Sequence, residues 1–136
     1  MGYEWLEEEA GPKLAAYLKV KPKVSVVFAL GVNDLGNQAK YAEYYKRMIE
    51  TFPNTRFYFL SVNPVDEKQD MVKRNPYLTT AAILQFNKLM YNELGAARFL
   101  NSYKELMEKG WNASDGVHYD PPVYKTIYDF IMSKIG

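Results

Sequence analysis

The run Val24-Ser25-Val26-Val27-Phe28-Ala29-Leu30 constrains this chain more than any other stretch. It is apolar almost throughout, of strand length, and bounded by Pro22 and Gly31. A strand without alternation is covered on both faces, which in practice means a parallel strand between layers of helix. Parallel strands need long crossover connections, and the flanking sequence supplies them as helices. From about Gln38 to Phe52, the residues Tyr41, Tyr45, Met48, Ile49 and Phe52 share one helical face, and Pro53-Asn54 ends that helix. A second strand follows from Arg56 to Val62. Thr79 or Thr80 caps the next helix, which turns Ile83, Phe86, Leu89, Met90 and Leu94 inward and stops at Gly95. Ala97 to Asn101 is a short third strand, and Tyr103 to Lys109 a brief helix. Asp120 and Pro121 open the last helix, with Ile127, Tyr128, Ile131 and Ile135 expected inside.

The alternation of strand and helix predicts one α/β domain over residues 1–136, with a parallel sheet and helices on both faces. Before the first strand, a helix from Glu4 to Ala10 is expected to break at Gly11-Pro12, and a second to follow with Leu14, Tyr17 and Leu18 as its stripe. Three strands are few for such a sheet. The expectation is therefore that an upstream strand is missing, or that a partner covers the first strand. An uncovered Val24–Leu30 edge would favour self-association into a homo-oligomer. The polar segment Val65 to Leu78 is long for a loop and is expected to be functional or mobile.

Charge and cysteine content narrow the function classes. The formal net charge of +1 gives no electrostatic reason to bind nucleic acid or an anionic membrane. There is no cysteine, so thiol chemistry and Cys-type zinc sites are excluded. No apolar stretch is long enough for a membrane span, and the start is not a signal peptide. No cofactor is expected, and the compartment stays open.

Against that background the single histidine stands out. Asp115-Gly116-Val117-His118 places a carboxylate three residues before an imidazole, just ahead of the last helix. A carboxylate so placed can orient a general-base imidazole and stabilise it once protonated. Gly31-Val32-Asn33-Asp34 follows the first strand directly. Ligands of open α/β sheets bind beyond the carboxyl ends of the strands, so Asn33 and His118 could face one crevice, the asparagine as an amide donor to an oxyanion. Each motif also has an ordinary structural meaning. Asn33-Asp34 suits a turn and a cap on the next helix, and Asp115 suits a turn beside a hydrogen-bonded histidine.

Together the motifs resemble those of the SGNH (GDSL-like) hydrolase family. Gly31-x-Asn33-Asp34 resembles its third conserved block, and Asp115-x-x-His118 its fifth. Ser61-Val62-Asn63-Pro64 is similar to the family at the end of the second strand. The resemblance implies a flavodoxin-like three-layer α/β/α sandwich with a parallel sheet, hydrolysing esters through a Ser-His-Asp triad. It implies His118 as base, Asp115 as its orienter and Asn33 as oxyanion donor, with Gly31 and Asp34 supporting the site. Gly2 resembles the second-block glycine, whose N–H also holds the oxyanion. The implied substrate is a small-molecule ester or an acylated carbohydrate.

The nucleophile departs from the pattern. The family's Gly-Asp-Ser block would stand upstream of Gly2, where only Met1 remains. Ser25, Ser61, Ser102, Ser114 and Ser133 all lack the context of a nucleophile turn. The chain thus reads as an SGNH-type esterase domain without its first strand and serine, inactive alone. Two other readings stay open. One is a non-catalytic flavodoxin-like module that binds a partner or sugar through the tyrosine-bearing Val65–Leu78 region. The other is metal-assisted hydrolysis by Asp34, Asp115 and His118, for which one histidine and scattered carboxylates are a poor set.

Overall fold

The computed structural model describes residues 1–136. Three parallel strands, β1 (Ser25–Phe28), β2 (Arg56–Leu60) and β3 (Phe99–Leu100), form one sheet in the order β1-β2-β3. Ser25 pairs with Arg56 and Phe28 with Phe59; Phe59 then pairs with Phe99. Each strand is shorter than its apolar run because pairing stops where the chain leaves for the next crossover.

Side chains alternate across β2 as the pleat requires. Phe57 and Phe59 enter the larger core, where α3 (Gln38–Thr51) and α5 (Thr80–Leu94) contribute Tyr41, Tyr45, Met48, Ile83, Phe86 and Met90. Phe28 stacks on Phe59 at 5.6 Å and 4° between ring planes, and Tyr45 lies 4.4 Å from the same ring. Tyr58 and Leu60 face the opposite layer, made by α6 (Ser102–Lys109) and α7 (Pro121–Ile135) through Leu106, Val123 and Ile127. The result is an α/β protein with helices on both faces of a small parallel sheet, an arrangement compatible with a flavodoxin-like sandwich. β1 is less covered than its composition predicts: Ser25 is exposed, Val26 and Val27 are half-buried, and only Phe28 is buried. The reason is position, since β1 is an edge strand with β2 on one side only.

The N-terminal helix corrects the expected break. It runs without interruption as α1 (Tyr3–Trp5), a π-helical segment Leu6–Ala10, and α2 (Gly11–Val20). The Gly11 N–H donates to the Leu6 carbonyl, five residues back. The wider π turn lets Pro12 follow without stopping the helix, where a regular turn would set its ring against a preceding carbonyl. Gly11 is a packing residue rather than a breaker: a Cβ there would stand 1.7 Å from the Tyr44 hydroxyl of α3.

Two residues expected inside lie outside. Tyr17 of α2 is exposed, and Tyr128 of α7 is 62% exposed. Both sit at the margin of their helix stripe, where the small sheet leaves nothing to cover them. At α5 the cap is Thr79, whose hydroxyl accepts the Ala82 N–H at 3.1 Å. Asp120 stands at the N-cap of α7 but makes no side-chain cap bond.

The Val65–Leu78 segment is not an unstructured loop. It holds a short helix, α4 (Asp70–Lys73), and is anchored by buried Val65, Val72 and Leu78. No helix of the protein is long and apolar enough to cross a membrane.

Candidate active site

Parallel strands bring their carboxyl ends to one edge of the sheet. There, the segments leaving β1 and β2, the Val65–Leu78 segment, the histidine loop and the start of α7 enclose a cavity of about 490 Å³. Its lining includes Asn33, Asn63 and His118, together with Leu30, Val65 and Val117. The sheet topology thus brings together Asn33 and His118, which are 85 positions apart in the sequence (118 − 33).

The histidine loop is built from its backbone outward. Gly116 has φ +91°, and a Cβ there would meet Val72 at 2.7 Å and the Asp66 carbonyl oxygen at 2.9 Å. Only glycine accommodates both the positive φ and that approach. The Asp66 N–H donates to the Gly116 carbonyl at 2.9 Å, and Ala113 and Tyr119 form an isolated antiparallel bridge. The Tyr119 hydroxyl donates to the Pro64 carbonyl. These ties hold the loop against the β2 exit.

Asp115 Oδ1 accepts the Val117 N–H at 2.8 Å and the His118 N–H at 2.7 Å, while Oδ2 lies 2.6 Å from His118 Nδ1. The two backbone donors, Asp115's largest influences, and then the imidazole lower its pKa to about 2. The carboxylate is therefore ionised at neutral pH and can only accept. Nδ1 must then carry the proton of the neutral imidazole, which leaves Nε2 as the acceptor. That is the tautomer a general base requires. The His118 side chain is 70% exposed, so the imidazole stands at the cavity mouth.

The Asn33 turn is held differently. Gly31 has φ +122°, and a Cβ there would stand 2.5 Å from Cζ of the Phe86 ring. Asp34 supports the turn with both oxygens: Oδ2 accepts the Tyr3 N–H at 2.7 Å and the Asn37 amide at 3.1 Å, and Oδ1 accepts the Tyr41 hydroxyl at 2.6 Å. Burial and then this bond push the Tyr41 phenol well above its ordinary pKa, so it stays neutral. The expected cap on the following helix is absent. Asp34 instead fixes the first residue of α1.

Gly2 is the N-cap of α1, and a Cβ on it would stand 2.7 Å from Asp34 Oδ2. Gly2 and Asp34 line a separate surface groove beside α1, and Asn33 borders both this groove and the His118 cavity. The Asn33 amide donates to the Met1 carbonyl at 3.0 Å.

None of the serines hydrogen-bonds to His118, whose side chain is paired only with Asp115. Ser61 borders the cavity but is buried. Its oxygen accepts the Tyr103 N–H at 2.9 Å and lies 3.0 Å from the Ser102 oxygen, and Ser102 in turn donates to Asn63 at 2.5 Å. This network ties β2 to the start of α6. Ser133 donates to the Phe130 carbonyl within α7. Asp34, Asp115 and His118 do not gather into a metal-binding group, and no other set of three candidate ligands does.

Sequence reasoning passed over Asn87, Asn75, Met71 and Tyr124. Buried Asn87 clamps the exit of β2, accepting the Val62 N–H at 2.8 Å and donating to the Val62 carbonyl at 2.9 Å. Its signal was a carboxamide one turn after Ile83 and beside Phe86 on an apolar helix face. The others line the cavity and have no local signal. Compared with protein-family models, curated proteins and solved structures, the chain matches none.

Proposed function

We propose that this chain carries the acid–base and oxyanion half of an SGNH-type serine ester hydrolase. The carrying observation is the His118–Asp115 pair at the mouth of a cavity that Asn33 also lines. In this reading a serine hydroxyl from outside these residues attacks the acyl carbon and gives its proton to His118 Nε2. The carbonyl oxygen becomes an oxyanion held by the Asn33 amide, which exchanges the Met1 carbonyl for it, while Gly2 lies in the neighbouring groove. The ester C–O bond then breaks, and Nε2 returns the proton to the departing alkoxide. Water cleaves the acyl-serine by the same route. Asp115 stabilises the imidazolium in both halves.

The chain alone should hydrolyse p-nitrophenyl acetate no faster than buffer. Strong turnover abolished by replacing one serine with alanine would refute the missing nucleophile. As the only histidine, His118 gives a single pair of side-chain ¹⁵N resonances. These should show Nδ1 protonated in the neutral form, and Nε2 protonation there would sink the assignment of the base.

A non-catalytic binding module is the second reading. It is favoured by the 11 hydrophobic residues among the 16 that line the cavity. It requires ligand affinity unchanged in both His118→Ala and Asp115→Ala.

A further inference from the structure

The cavity lining narrows what the site accepts. It contains no lysine, arginine, aspartate or glutamate. The Asp115 carboxylate lies 2.6 Å from His118 Nδ1, and its negative charge disfavours an anionic acyl group beside that imidazole. Polar contacts come from neutral side chains, among them Asn33, Asn63 and Asn75. Two large apolar side chains on opposite elements remain uncovered: Met71 of α4 is 50% exposed and Tyr124 of α7 is 48% exposed. Exposed apolar surface at a cavity is what an apolar ligand removes from water.

Size gives the second constraint. If each heavy atom takes about the 30 Å³ share of a liquid water, methyl acetate fills roughly 150 Å³ and methyl hexanoate roughly 270 Å³. Both fit within 490 Å³, but the acetyl ester leaves most of it empty. We propose that this cavity is an acyl pocket for uncharged, medium-chain esters, with Met71 and Tyr124 as its apolar walls. The proposal deepens the esterase reading and rests on it for the ester's orientation toward His118. Each methylene that becomes fully buried tightens binding about fourfold.

The test needs no turnover. The whole chain is titrated with methyl hexanoate, methyl acetate and sodium hexanoate near neutral pH, with Met71 methyl and Val117 amide resonances as the readout. Methyl hexanoate should bind at least tenfold more tightly than either other probe and shift both resonances. Met71→Glu, at a half-exposed position that leaves the fold intact, should weaken methyl hexanoate at least fivefold. Equal affinity for acetate ester and hexanoate ester, tighter binding of the anion, or shifts confined to residues away from the cavity would each overturn the proposal. Affinity decides the pocket, whereas turnover and the His118 tautomer decide the hydrolase reading. A pocket that binds as expected with the wrong tautomer would therefore sink only the latter.

Discussion

Asp34 and Asp115 look alike in sequence. Each lies in a glycine-containing turn, Asp34 after β1 and Asp115 after α6, with a polar side chain three residues on, Asn37 or His118. Their environments differ. Asp34 binds groups from three parts of the chain, Tyr3, Asn37 and Tyr41, and so joins α1 to the β1 exit and α3. Asp115 binds only Val117 and His118, two and three residues on in its own turn. One carboxylate holds the fold; the other holds an imidazole. A short motif can specify the same local turn while the partners beyond it decide between structure and chemistry.

Removing each carboxylate should separate the roles. Asp34→Ala leaves the Tyr41 phenol without its acceptor and frees the start of α1. Bonds to a charged acceptor and a buried unpaired donor make this the largest effect, a loss of about 2–4 kcal/mol in urea unfolding. A loss below about 1 kcal/mol would break the contrast.

Asp115→Asn should leave the urea midpoint nearly unchanged. It should abolish the preference for Nδ1 protonation, because the carboxamide can offer Nδ1 a donor as well as an acceptor.

Acid should distinguish the same loop. A folded pKa of about 2 against an ordinary 3.8 means that the carboxylate's contribution is complete above about pH 4 and disappears as pH falls towards 2. The Val117 and His118 amide shifts should titrate with a midpoint near 2 in the native chain, and should not do so in Asp115→Asn. A midpoint near 3.8 would show that the backbone bonds do not favour the ionised form.

The smallest effect concerns β1. Its open edge should give weak, concentration-dependent self-association in sedimentation, reduced by a lysine at exposed Ser25. A monomer at every concentration would show that the edge is already protected.

By itself the sequence determined the kind of fold. The unbroken apolar run at Val24–Leu30 and the helical stripes of α3 and α5 are local periodicities, and they were enough to specify a parallel α/β sheet. It also marked Asn33, Asp115 and His118, because turn chemistry and a three-residue spacing are local as well. Tertiary structure decided what no window of sequence contains. Asp34 meets Tyr3 across 31 positions, and Asn87 meets Val62 across 25. Gly11 allows Tyr44 to approach rather than ending a helix. Val65–Leu78 becomes a cavity wall because Val72 packs against Gly116. Met71 and Tyr124 line one cavity with the histidine only in the folded chain. The physical reason is common to these cases. Periodicity and turn preference follow from each residue's own backbone, whereas a lone pair's donor and an apolar side chain's cover depend on which distant segments the sheet brings together.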